Sequence, residues 1–132
     1  MRYLLDTSAI LAHYRKETGW EAVQGLFEDS EAEILLASVT LAEFARRLVA
    51  LSATTAEIDR TLTDYELLFS AIVEIDASIA KAAYAIGRAS DTRLPLIDAL
   101  IAAAAQRHDA TLIHRDHHMA GIPQTILNQR YL

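Results

Sequence analysis

Residues 94–116 read LPLIDALIAAAAQRHDATLIHRD. From Leu94 to His108 the apolar residues fall at helical spacing, and Pro95 comes early, where its missing N–H costs little. The alanines at 102–105 carry the most information, because small side chains let a helix lie close against a sheet. A short polar break follows, and TLI at 111–113 then reads as a strand. A helix shaped to approach a sheet, followed at once by a strand, points to an α/β chain.

The same alternation continues outward. YLL at 3–5, EILLA at 33–37 and AIVEI at 71–75 have strand length and composition. Residues 20–28 fit a helix with Val23, Leu26 and Phe27 on one side. Residues 40–51 place Leu41, Phe44, Leu48 and Leu51 at helical spacing. A further helix from about residue 56 turns Ile58, Leu62, Tyr65 and Phe69 inward, behind a Thr54–Glu57 capping box. Asp76 starts a helix running to about Arg88, and the tail TILNQRYL adds a last edge strand. The expected fold is an α/β sandwich, a central, mostly parallel β-sheet flanked by helices, in a single domain over residues 1–132.

Bulk composition narrows the function. Of 132 residues, 52% are apolar and 23% charged, which is globular and not disordered. There is no cysteine, so disulfides and Cys-ligated zinc are excluded, and a reducing cytoplasm is the natural setting. The first residues do not read as a secretory leader, since Asp6, His13, Arg15 and Lys16 interrupt the apolar run. ALIAAAA at 99–105 is the longest apolar stretch, far below the ~18 residues of a membrane span. The net charge of −6 argues on its face against a nucleic-acid partner. It does so less if the acids gather in a site that a metal neutralises. It also does so less if Arg46, Arg47, Arg88, Arg93, Arg107 and Arg115 share a surface.

In open parallel sheets, ligands bind outside the carboxyl ends of the strands. Four acids fall at such places: Asp6 after YLL, Glu43 early in the helix after EILLA, Asp98 near the start of the alanine-rich helix, and Asp116 just past TLI. Each has a plain structural alternative. Asp6 could cap a helix. Glu43 could close a capping box with Thr40. Asp98 could complement a helix dipole, and Asp116 could be a turn residue. Together they say more. Asp98 lies between Ile97 and Ala99-Leu100-Ile101, where an unpaired buried carboxylate is costly. Two such charges 4 Å apart repel by about 4 kcal/mol at an effective dielectric near 20. Mg2+ or Mn2+ is the hard, oxygen-seeking remedy, and it can lower the pKa of water for phosphodiester cleavage.

LLDTSAIL at 4–11, SVTLAEFARRL at 38–48 and LPLIDALIAAAAQRHDATLIHRD at 94–116 resemble, in order and over essentially the whole chain, the PIN domain, and most closely the VapC-type toxins of VapBC toxin–antitoxin pairs. The resemblance implies a Mg2+- or Mn2+-dependent endoribonuclease. It implies an acidic quartet of Asp6, Glu43, Asp98 and Asp116, with Asp6, Asp98 and Asp116 holding the metal and Ser8 supporting the site by hydrogen bonding. It further implies a cytoplasmic homodimer, a VapB-type antitoxin that wraps the toxin and blocks the site, and a transfer or ribosomal RNA substrate. Two positions depart from the family pattern. His114 replaces a small hydroxyl residue before Arg115, and Met119 replaces an aromatic three positions after Asp116. Asp91 is a further acid, most simply at the surface. The rival reading is a non-catalytic PIN-like module that binds a protein through residues 40–69.

Other signals resolve to less. HRD at 114–116 opens the kinase catalytic loop, but the Asn required five residues after the Asp is Gly121 here, and no Gly-rich phosphate loop exists. His114, His117 and His118 could form a zinc site with Asp116; their spacing fits a solvated polar loop better. His13 and His108 are most simply surface residues. DTS at 6–8 lacks the second Asp of Asp-nucleophile phosphotransferases, with Ser8 in its place. Trp20 and the tyrosines could stack on RNA bases, but Phe44, Tyr65 and Phe69 sit at core spacing.

Overall fold

The computed structural model describes residues 1–132. Five strands, β1 (Arg2–Leu5), β2 (Glu33–Ala37), β3 (Ala71–Val73), β4 (Thr111–His114) and β5 (Gln129–Tyr131), form one sheet in the order β3-β2-β1-β4-β5. Every pairing is parallel, so the sheet is wholly and not merely mostly parallel. The helices are α1 (Thr7–Arg15), α2 (Trp20–Glu28), α3 (Ser38–Ala50), α4 (Thr55–Leu68), α5 (Ala77–Ala89), α6 (Leu96–Arg107) and the short α7 (His117–Ala120).

Side chains alternate across the sheet with period two, and this builds two cores. Leu4, Leu35 and Leu112 face a cluster of 18 buried residues under α5 and α6, in which Ala102, Ala103, Ala104 and Ala105 are 0% exposed. Leu5, Leu36 and Ile113 face a cluster of 12, with Ile10, Val23, Phe44, Leu48, Tyr65 and Phe69. Strands buried on both faces read as unbroken apolar runs, which is what residues 34–37 of β2 and 112–113 of β4 are.

Several boundaries differ from expectation. α1 was not among the expected elements. Thr7, Ala9, Ile10, Leu11 and Ala12 are all buried, so its nine residues show no polar stripe to mark a helical period. α3 starts at Ser38, which puts Thr40 inside the helix. Thr40 is 0% exposed and its Oγ1 has no hydrogen-bond partner, so the Thr40–Glu43 capping box does not form. The Thr54–Glu57 box does form, through both of its hydrogen bonds. α6 begins at Leu96, with Pro95 as its N-cap. β3 stops at Val73 because its partner β2 ends at Ala37, opposite Val73. β5 is an edge strand, as the tail suggested.

Candidate functional site

β1 is the central strand, and its last backbone link to β4 is the Asp6 N–H donating to the Ile113 carbonyl at 3.1 Å. Asp6 is therefore fixed at the carboxyl end of the sheet, and it is 3% exposed. One oxygen, Oδ1, accepts from the Ala9 N–H at 2.9 Å, which caps α1, and from Ser8 Oγ at 2.7 Å. Ser8 Oγ in turn accepts the Arg115 N–H at 2.8 Å. Ser8 thus ties the turn after β1 to the turn after β4. No group of the chain donates to the other Asp6 oxygen.

The three remaining acids reach the same cleft, which encloses ≈ 240 Å³ and is lined by Asp6, Glu43, Asp98 and Asp116 together with Thr7, Ser8, Leu11, Glu17, Arg47 and Arg115. Glu43 comes from α3, and Thr7 Oγ1 donates a hydrogen bond to its Oε1. Asp98 stands in the first turn of α6. Asp116 follows β4 and caps α7, its Oδ1 accepting from the His118 N–H at 2.9 Å and lying 3.0 Å from His118 Nδ1.

Electrostatics match the crowding. Burial pushes the Asp6 carboxyl up to about 7, further raised by Asp116 and Asp98, although Ser8 and Ala9 pull the other way. Asp98 is raised to about 6 by burial, then by Asp116 and Glu43. A carboxylate pocket in this state gains from any hard cation that replaces protons.

Of the candidate site residues, Asp6, Glu43, Asp98, Asp116 and Ser8 all come together. Asp91 is exposed and outside the cleft. His114 is not part of a solvated loop. It is 1% exposed on β4, its Nε2 is 2.7 Å from Gln129 Oε1, its Nδ1 accepts the Asp116 N–H, and burial lowers its pKa. With both ring nitrogens engaged it is removed from the possible zinc set. His117 and His118 do stand with Asp116, ligand atoms within 4.8 Å of one another, as a group that could hold a metal. His13 is not a plain surface residue either. It is half-buried, 2.7 Å from both the Tyr65 hydroxyl and Gln24 Oε1, against the Phe27 ring. Met119 is fully buried in the larger core.

Glu17, Thr7 and the cleft placement of Arg47 and Arg115 went unread in the sequence. Arg47 had a signal, since it lies four residues after Glu43 and shares its helix face. Glu17 had none. It follows Lys16, a left-handed residue (φ 53°) that ends α1 and turns the chain back toward the cleft.

The family profile described as the PIN domain matches residues 3–124. Among solved structures, VapBC2 from Rickettsia felis bound to a DNA fragment of its promoter aligns over 100% of this chain and 99% of its own at a TM-score of 0.75 and 20% identity. A toxin–antitoxin complex from Klebsiella pneumoniae aligns over 92% of both chains at 0.69 and 27% identity. VapBC-1 from nontypeable Haemophilus influenzae aligns over 99% and 98% at 0.74 and 18% identity. Among curated proteins, none matches the sequence.

Proposed function

The chain belongs to the PIN domain family, and on that premise we propose that it is a Mg2+- or Mn2+-dependent endoribonuclease, the toxin of a VapBC-type toxin–antitoxin pair. The observation that carries this reading is the meeting of Asp6, Glu43, Asp98 and Asp116, from four separate segments, in one cleft with a single apolar lining residue. A structural role for each acid alone does not account for their meeting.

The donor set fits a hard divalent ion. It is all oxygen at the cleft floor, and one Asp6 oxygen has no partner in the chain. Asp6, Asp98 and Asp116 would hold the ion. When bound, it supplies a water of lowered pKa and offsets the charge that develops in phosphodiester cleavage. The chain itself contributes positioning. Ser8 and the Ala9 N–H fix one Asp6 oxygen so that the other faces the cleft, and Thr7 holds Glu43 toward it. No side chain is assigned as a general base.

The solved toxin–antitoxin complexes that the chain resembles support a VapB-type antitoxin as partner, and the homodimer is proposed from the family resemblance alone. No helix is long and apolar enough to cross a membrane. The cytoplasmic setting and a transfer or ribosomal RNA substrate are part of this proposal and rest on the family reading. The test is cleavage of a mixed RNA pool by the purified protein with Mg2+, with Mn2+ and with EDTA, beside a folded Asp98→Asn variant. Metal-dependent cutting that the variant loses is expected. Equal cutting by both proteins overturns the role of Asp98 and points to a contaminant. Absence of cutting, with absence of Mn2+ binding, favours the non-catalytic binding module.

A further inference from the structure

Two arginines line the acidic cleft: Arg47 on α3 and Arg115 in the turn after β4. They share it with five carboxylates, Asp6, Glu17, Glu43, Asp98 and Asp116. Neither forms an ion pair. The ion pairs of the molecule are Arg2–Glu33, Arg15–Glu17 and His118–Asp116. Neither makes a side-chain hydrogen bond, although a guanidinium offers five donors in a fork that suits a carboxylate. Arginines that served the cleft's own acids would be found on them.

Their placement suggests another partner. Arg47 is four residues beyond Glu43 on α3, about 6 Å further along the same helix face. The Arg115 backbone is held beside Asp6 by its N–H bond to Ser8 Oγ at 2.8 Å. In the sheet, β2 and β4 lie on opposite sides of β1. The helix after β2 carries Arg47 and the end of β4 carries Arg115, so the two residues enter the cleft from segments on either side of β1. A polyanion crossing a carboxylate floor needs such flanking charge to offset the repulsion beneath it.

We propose that Arg47 and Arg115 are the phosphate-binding pair of the cleft, seating RNA phosphates on either side of the bond cut above Asp6 and Asp98. This rests on the nuclease reading and adds to it the residues that hold the substrate backbone. It also answers the −6 net charge. On this reading the basic footprint at the site is two arginines among five carboxylates.

The test uses a fluorescein-labelled single-stranded RNA of mixed sequence, followed by anisotropy across salt concentrations with Mg2+, in the Asp98→Asn protein so that the probe stays whole. Cleavage is followed in parallel in the otherwise wild-type chain. Arg47→Ala and Arg115→Ala should each weaken binding about tenfold. Each should also flatten the slope of log affinity against log salt by about 0.7. In cleavage, KM should rise more than kcat falls. Arg→Lys at either position should restore the salt slope without the full affinity, because the charge returns and the fork does not. Arg88→Ala, outside the cleft, should change nothing. Should an Ala variant fail to fold, Arg→Gln keeps the length and removes the charge. Unchanged affinity and salt slope in the variants, in a protein whose wild type cuts RNA, overturn this proposal and leave the nuclease reading standing. No RNA binding by the Asp98→Asn protein together with no cutting by the wild type overturns both.

Discussion

Asp6 divides its two oxygens between fold and site. One is fixed by the Ala9 N–H and Ser8 Oγ, and the other has no partner. With a pKa raised to about 7, against the ordinary value near 3.8, the folded state prefers the protonated form. A group raised in this way contributes stability that is present below its unfolded value and is lost as pH rises through the folded one. For Asp6 the loss falls between about pH 4 and pH 7 and is on the order of 4 kcal/mol. Half-buried Asp98, raised to about 6, acts in the same direction. Metal-free protein should therefore lose stability to urea as pH rises over that window, and Asp6→Asn should lose much less. Parallel pH profiles for the two proteins would show that Asp6 is not strained. Ser8→Ala is expected to cost about 1–3 kcal/mol, since it leaves the Arg115 N–H unpaired. A cost near zero in urea unfolding would mean that the turns after β1 and β4 hold together without it. At this scale the acids and Ser8 could be read in the sequence, because strand ends and helix starts mark where they fall. Glu17 could not, because a left-handed turn at Lys16 returns it to the cleft and no periodicity records such a turn.

Among the elements, α6 was the most legible and α1 the least. α6 announces itself by length and by its alanines, which lie fully buried against the sheet. Ala103→Leu should force that helix off the strands and cost about 1–3 kcal/mol, read as a lower urea midpoint with an unchanged m-value. An unaffected midpoint would mean that the contact is looser than its burial implies. α1 is short and buried nearly all round, so it carries no amphipathic period. α3 shows how a local signal can mislead. Thr40 and Glu43 have capping-box spacing, yet the helix starts at Ser38, which leaves Thr40 in the interior and Glu43 free for Thr7. What places the start of α3 is the end of β2 at Ala37, a tertiary fact that no three-residue motif contains.

On the scale of the molecule, an all-parallel sheet sets every strand's carboxyl end on one edge. Asp6 from β1 and Asp116 past β4 arrive there directly. Glu43 arrives on the helix after β2, and Asp98 on the first turn of the helix that leads into β4. Alternating strand and helix patterns were enough to foresee this edge, because the period changes with each element. Its strand order and exact register were not foreseeable, since both depend on pairings between distant segments. The topology gathers carboxylates whose mutual repulsion the fold alone does not relieve, and the central claim is that a divalent cation relieves it. The most direct test is the thermal midpoint of chelator-stripped protein at about pH 8, with and without Mn2+ at about 100 times its dissociation constant, for the wild type and for Asp98→Asn. The wild type should gain about 2.7 kcal/mol of stability, seen as a rise of several degrees, and the variant far less at the same Mn2+ concentration. No rise in the wild type, or an equal rise in both proteins, would contradict a metal held among these carboxylates.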